Sequence, residues 1–252
     1  MGRRIAGRLT AEEVRAAKGI RRLAVLTAYD YPTARALDGA GLDLILVGDS
    51  MGEVELGYAS TRVVTLDMMC HHVRAVRNGV SETHLVADLP ADTYRTTTEA
   101  VASSRALCDA GADSVKLEGA MVPEVRAIIA VGIPVMGHGG LLPQTATSYR
   151  RQCTRPDEAA RILADARALD DAGCYAIVIE AVDHELTRRI TAEVGCPTIG
   201  IASGGGCDGQ VLVVSDMIGL TPEPPAFVTP RARVFDTIRA AAREFAAEVR
   251  GL

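Results

Sequence analysis

One pattern governs the chain: a short apolar run, a polar residue where the run stops, and a helix-spaced segment that closes near glycine. The apolar runs are Leu23–Tyr29, Leu42–Gly48, His84–Asp88, Ser114–Glu118, Pro134–Gly137, Tyr175–Glu180, Pro197–Ile201 and Gln210–Val214. They are rich in Val, Ile and Leu and do not alternate cleanly, as expected of strands covered on both faces. Between them, Pro32–Gly39, Leu66–Asn78, Thr98–Ala110, Pro123–Val131, Pro156–Ala172 and His184–Val194 show helical spacing. Gly111, Gly132, Gly173 and Gly195 follow four of these, where glycine supplies the left-handed position that ends a helix. Thr10 and Glu13 have capping-box spacing and predict a short helix before the first strand; Arg231–Arg250 is the closing helix. Eight strands alternating with helices predict a single (β/α)8 TIM-barrel domain over residues 1–252, with a doubly wound open sheet as the competing arrangement.

Composition removes several classes of function. Apolar residues make up 48% of the chain, enough for a large core. The net charge is −5 and no basic stripe is present, so no nucleic-acid partner is expected. The apolar runs are far shorter than a membrane span, so no membrane partner is expected either. The N-terminal "MGRRIAGRLTAEE" is basic but lacks the apolar core of a signal peptide. Cysteines at 70, 108, 153, 174, 196 and 207 form no C-x-x-C and read as reduced thiols of a cytoplasmic protein.

In a barrel of this kind chemistry gathers where the strands end. Those ends read Asp30, Asp49–Ser50, Asp88, Lys116–Glu118, His138, Glu180 and Ser203. Asp49 and Asp88 follow neighbouring strands, and two hard oxygen donors suit Mg²⁺, which keeps several waters and takes one or two carboxylates. Either alone would read as a turn acid. Lys116 and Glu118, two apart on one strand, face the same way; they form a structural ion pair or serve the site. As a functional group the lysine either grips a carboxylate or forms a Schiff base. His138 sits in "MGHGG", among glycines that could let a ligand approach the backbone, whereas His72 reads as packing. Glu180 ends the very apolar "YAIVIE"; a carboxyl there is expected to be desolvated, with a raised pKa suited to proton transfer, unless a salt bridge claims it. "SGGGCDG" lacks the Walker lysine and indicates only tight turning or close backbone approach, and "RTTTEA" reads as a helix N-cap. Two connections, Asp49–Thr65 and Gly139–Arg155, are long enough to be functional.

"LTAYDYPTA", "LILVGDSMG", "LGYASTRVVTLDMM", "VADLP", "VKLEG", "IPVMGH", "IVIEAV" and "CDGQVLVVSDMIGL" follow one another from Leu26 to Leu220. In that order they resemble the signatures of the ketopantoate hydroxymethyltransferase family. The resemblance implies a barrel of the phosphoenolpyruvate mutase and isocitrate lyase group. It also implies transfer of a hydroxymethyl unit from 5,10-methylenetetrahydrofolate, as co-substrate, to 3-methyl-2-oxobutanoate on the way to pantothenate. Mg²⁺ dependence and a decameric homo-oligomer are implied as well. By resemblance Asp49 and Asp88 match metal-binding acids, with Glu118 and His138 in the polar shell around metal and substrate. Ser50 and Lys116 match groups that hold the keto-acid carboxylate, and Glu180 matches the acid/base.

Several stretches depart from the family pattern. "GHGGLLPQTATSYRRQCTR" replaces a longer loop that begins "GHLGLTPQ", "ADLPA" lacks the usual aromatic after proline, and "EAVD" and "GIASG" replace "ECVP" and "GIGAG". These changes leave the metal and carboxylate shell intact and alter what surrounds it. They keep open a paralogue that acts on a different 2-oxo acid in secondary metabolism, by hydroxymethyl transfer or aldol chemistry. A non-catalytic metabolite-binding barrel is the alternative from another class.

Overall fold

The computed structural model describes residues 7–146 and 156–251. The second half of the Gly139–Arg155 connection, Cys153 included, lies outside the described residues. Contacts divide the chain into two compact units, Met1–Val211 and Leu212–Leu252.

The first unit opens with helix α1 (Ala11–Ala16), whose Thr10 and Glu13 form the expected capping box. There follow β1 (Leu23–Thr27), α2 (Tyr31–Leu37), β2 (Leu44–Val47), α3 (Met51–Val54), α4 (Leu66–Gly79), β3 (His84–Asp88) and α5 (Thr97–Asp109). Next come β4 (Ser114–Lys116), α6 (Val122–Ala130), β5 (Val135–Gly140), α7 (Pro156–Asp171), β6 (Ala176–Glu180), α8 (His184–Glu193), β7 (Thr198–Ile201) and β8 (Gly209–Leu212). The strands close into one barrel in sequence order, and the open-sheet alternative falls away. Each neighbouring pair in register is parallel, from Val25 opposite Leu44 through to Ile199 opposite Gly209. At the closure Leu23 donates its N–H to the Asp208 carbonyl at 3.0 Å.

Alternation sorts the strand residues into two faces. Leu44 and Leu46, Val86, Met136, Ala176 and Val178, Ile199 and Val211 share one buried cluster with Ala11, Val14 and Ala17 around α1. That cluster fills the barrel interior and seats α1 at its N-terminal end, so the lumen is a packed core. Two residues further along the same inward face the strands deliver Asp88, Lys116, His138 and Glu180.

Three sequence expectations are corrected. Gly195 does not take a left-handed φ, unlike Gly111, Gly132 and Gly173. Its N–H instead donates to Asp170 at 2.6 Å, and a Cβ there would stand 3.2 Å from that carboxylate, so close approach selects the glycine. The 49–65 connection is partly helical, with α3 and a 3₁₀ turn at Thr61–Val63. Val214, expected at the end of the last strand, instead begins a short helix, α9 (Val214–Met217).

The second unit contains α9 and the closing helix α10 (Val234–Arg250), tied by Arg231 N–H to Met217 O and Phe235 N–H to Gly219 O. On α10 Ile238, Phe245 and Val249 lie on one stripe and are exposed. Among the described residues no helix is long and apolar enough to cross a membrane. The five cysteines among them are free thiols.

Candidate active site

Asp49, Asp88, Lys116, Glu118 and His138 are all buried and converge at the C-terminal end of the strands. Gly48 makes this convergence possible, since a Cβ there would stand 2.9 Å from Ser50 Oγ and 3.6 Å from Asp88 Oδ2. After it the chain turns sharply. Asp49 donates its N–H to Asp88 Oδ2 at 3.2 Å, and Ser50 Oγ shares a 2.8 Å hydrogen bond with the buried Tyr29 hydroxyl.

Lys116 is pulled two ways. Its Nζ lies 3.0 Å from Asp88 Oδ1 and 3.2 Å from His138 Nδ1. Burial works to strip its proton, but Asp88, Glu118 and Asp49 together prevail and hold the ammonium above the ordinary lysine range. An ammonium can only donate, so His138 Nδ1 accepts and the ring proton sits on Nε2. Burial and the adjacent Lys116 charge also hold the His138 pKa below its usual value, which keeps the ring neutral. Nε2 faces Glu180 Oε2 at 3.3 Å, within ion-pair range but without hydrogen-bond alignment.

The carboxylates differ in their surroundings. Burial first, and Asp88 second, push Asp49 up to about 7, while Glu118 is raised mainly by burial. The sequence placed the desolvated carboxyl at Glu180; its side chain is instead 19% exposed, and the desolvation falls on Asp49 and Glu118. Glu180 ends its strand at the barrel mouth, whereas the other two sit deeper. Among the described residues no three acids, histidines or cysteines by themselves make a closed metal cage.

Other strand-end residues serve the scaffold. Asp30 caps α2 by accepting the Thr33 N–H at 2.7 Å. The Ser203 hydroxyl accepts from Val182 N–H at 3.1 Å and donates to Ile179 O at 2.8 Å, clasping the backbone on either side of Glu180. His72 donates to the Tyr29 carbonyl at 2.6 Å, a packing role as expected. Of the glycines around His138, Gly137 is closed by Leu169 and Cys174 and Gly140 by the backbone of Glu180, while Gly139 has open space beside it. In "SGGGCDG" the His184 ring closes on Gly204 and Arg188 on Gly206, while Gly205 has open space beside it.

Sequence reading missed Gln144. This buried residue in the turn after β5 donates from Nε2 to Asp49 Oδ2 at 2.8 Å and to Leu89 O at 2.9 Å. Its backbone N–H reaches Glu118 Oε2 at 3.0 Å, and its amide oxygen accepts from the Tyr94 hydroxyl. It appears in the "GGLLPQ" stretch noted for its departures, but a glutamine in a turn carries no periodic signal.

A closed parallel barrel with acids, a lysine and a histidine at its mouth is the architecture of a (β/α)8-barrel enzyme, and solved members of the phosphoenolpyruvate mutase and isocitrate lyase superfamily share that fold. A solved 2,3-dimethylmalate lyase of that superfamily matches 97% of this chain and 86% of its own at a TM-score of 0.64 and 17% identity. A phosphonopyruvate hydrolase, solved in complex with oxalate and Mg²⁺, matches 96% and 99% at a TM-score of 0.62 and 14% identity. These likenesses concern the fold.

The family model of ketopantoate hydroxymethyltransferase matches residues 8–251. A 3-methyl-2-oxobutanoate hydroxymethyltransferase of Thermus thermophilus is 48% identical over 96% of this chain and 95% of its own length. One from Nitratidesulfovibrio vulgaris is 47% identical over 96% and 81%. The chain belongs to the ketopantoate hydroxymethyltransferase family and is a one-carbon transferase.

Proposed function

We propose that this enzyme transfers a hydroxymethyl group from 5,10-methylenetetrahydrofolate to 3-methyl-2-oxobutanoate, giving 2-dehydropantoate for pantothenate synthesis. Membership of the family supports the reaction. The observation that carries the site is the convergence of Asp49, Asp88, Lys116, Glu118 and His138 in one buried cluster, with Glu180 at its edge.

The donor set fits Mg²⁺. Three buried carboxylates face one ammonium, an excess of negative charge that a divalent cation would relieve. Asp88 Oδ1 is buried and meets the Lys116 ammonium at 3.0 Å without hydrogen-bond alignment. Mg²⁺ usually keeps several waters, so one or two carboxylates suffice without a closed cage. Asp49 and Asp88 would hold it, with Glu118 behind them. When bound, the cation polarises the keto oxygen and so acidifies the neighbouring C–H.

The chain's own residues do the rest. Lys116, kept cationic by its acid neighbours, and Ser50, oriented by Tyr29, hold the substrate carboxylate. Glu180, exposed enough to reach the bound acid, removes the C3 proton. Water opens the N–CH₂–N bridge of the folate, releasing tetrahydrofolate and its carbon at the aldehyde level. The electron pair left on C3 bonds to that carbon, and its oxygen takes up the proton to become the new hydroxyl. His138 presents its Nε2–H toward Glu180 at 3.3 Å.

We also propose that the protein is cytoplasmic and works as a homo-oligomer, a decamer by analogy with its family. The exposed apolar stripe of α10 supports association.

The test is a product assay by mass spectrometry. Purified protein is given several 2-oxo acids, with methylenetetrahydrofolate or formaldehyde supplied separately, with Mg²⁺ or EDTA. The expected result is 2-dehydropantoate from 3-methyl-2-oxobutanoate and the folate, lost in EDTA and restored by Mg²⁺. Preference for another acid would make the protein a paralogue, and no turnover of any acid would overturn the reading.

A further inference from the structure

Gln144 stands where two of the acids meet the turn after β5, with its backbone N–H and its whole side-chain amide engaged. Its side-chain amide gives one hydrogen to Asp49 Oδ2 and the other to Leu89 O, and its backbone N–H goes to Glu118 Oε2. The Tyr94 hydroxyl fixes the amide's orientation, because it donates to Oε1 and leaves the NH₂ end toward Asp49. Both Gln144 and Tyr94 are buried, so this arrangement is not shared with bulk water.

One residue therefore occupies one oxygen on each of two carboxylates. Asp49 is left with Oδ1 and Glu118 with Oε1, which lies 3.8 Å from Nδ1 of the neutral His138 ring. Asp88 is restricted in a similar way, since Oδ2 already accepts the Asp49 N–H. A hydrogen bond to one oxygen fixes the rotation of the carboxylate and weakens that oxygen as a donor, so a cation is met chiefly through the other. Single-oxygen contacts suit a small octahedral ion that keeps its waters. Ca²⁺ takes six to eight oxygens and readily uses both oxygens of one carboxylate.

We propose that Gln144 is a positioning residue that tunes the ion selectivity of the site: by holding Asp49 Oδ2 it biases Asp49 toward one-oxygen binding and favours Mg²⁺ over Ca²⁺. The inference rests on the metal reading above. Tyr94 acts one bond further out, through the amide it orients.

The experiment measures Mn²⁺ binding to the full-length protein from the electron paramagnetic resonance signal of free Mn²⁺. Mg²⁺ and Ca²⁺ are then titrated in as competitors, and no turnover is involved. Gln144→Met keeps the side chain's length and the backbone N–H to Glu118 but removes both amide donors. In the wild type Mg²⁺ should displace Mn²⁺ better than Ca²⁺ does. In Gln144→Met the Mg²⁺-to-Ca²⁺ preference should fall roughly tenfold or more, in line with the effect of removing a group that orients a metal ligand. Tyr94→Phe should shift it the same way by a smaller factor.

A purely structural role would weaken all ions together and leave the preference unchanged. That result in folded Gln144→Met overturns the inference while the metal reading stands. If Gln144→Met does not fold, an unchanged preference in Tyr94→Phe overturns it equally. Absence of Mn²⁺ binding to the wild type would remove the metal reading and this inference with it.

Discussion

His138 links two groups of opposite charge, accepting from Lys116 on one side and facing Glu180 on the other. This arrangement makes Glu180 testable by itself. Exchange of the C3 proton of 3-methyl-2-oxobutanoate with deuterated water needs no folate. In Glu180→Gln that exchange should fall by roughly 10²–10⁴-fold, the contribution expected of a general base. Binding of the acid should change little, because Lys116 and Ser50 remain. Exchange at the wild-type rate would move the base elsewhere. Lys116 provides a second check. Its ammonium lies between Asp88 and His138, and a protonated amine cannot attack a carbonyl. Borohydride added with substrate should leave no adduct on Lys116; a mass increase there would mean Schiff-base chemistry. The inward acids and the lysine were legible in the sequence because period two places them on one face of known strands. Gln144, Tyr29 and Tyr94 were not, since turn and helix-flanking residues reach the site by paths that no period describes. The relative burial of Glu180 and Asp49 was illegible for a related reason: it depends on depth in the barrel, which an apolar run does not encode.

At the scale of elements, two positions control how strands meet. Gly140 pairs with Glu180 across β5 and β6 at φ +92°, and a Cβ there would come within 2.4 Å of the Glu180 carbonyl. Gly140→Ala should cost at least ~1–3 kcal/mol of stability, from strain alone, and should disturb proton exchange by moving Glu180. Denaturant unfolding and the deuterium assay would show both losses; unaltered stability would mean that the strand end yields freely. At the N-terminal end His84 links Leu9 O to Ser114 Oγ, and Ser114 continues to the Tyr175 hydroxyl. Burial holds the His84 pKa below 6.5. The folded protein therefore binds fewer protons here than the unfolded chain. The contribution of His84 is complete above pH 6.5 and is lost as pH falls through the lower folded value. Melting curves from pH 8 to pH 5 should show a decline that His84→Gln makes shallower; parallel curves would exclude His84 as the source. Most element boundaries follow from apolar runs and caps to within a few residues, as with α4, predicted as Leu66–Asn78 and observed as Leu66–Gly79. The four-residue helices α3 and α9 escaped because one turn shows no periodicity.

At the scale of the molecule, the second unit has a different character from the first. No residue of α10 is buried, and Ile238, Phe245 and Val249 present apolar surface along one stripe. Such surface is uncommon on a helix meant to remain in water. If it is an assembly surface, sedimentation velocity should give a species much larger than 26.6 kDa. Phe245→Glu should shift that species toward smaller ones without unfolding the barrel. A monomeric wild type would remove the homo-oligomer from the proposal. None of this partnering was readable from one sequence beyond the amphipathic spacing of Arg231–Arg250, because an interface is a property of two chains.

Lys116 has a further consequence for how the protein can be handled. The chain contains only two lysines, and the rest of its 27 basic residues are arginine. Lys116 is enclosed by its acids, and Lys18 is occupied with Asp208 at 2.8 Å and Thr191 O at 2.6 Å. Reagents that couple to primary amines would meet an almost blank surface. Amine-directed dyes, cross-linkers and resin supports would find Lys18 before Lys116, leaving the barrel mouth untouched. Trypsin would cut almost entirely after arginine. Labelling of Lys116 would therefore report that the barrel mouth had come apart, so a simple amine reagent becomes a probe for opening of the site.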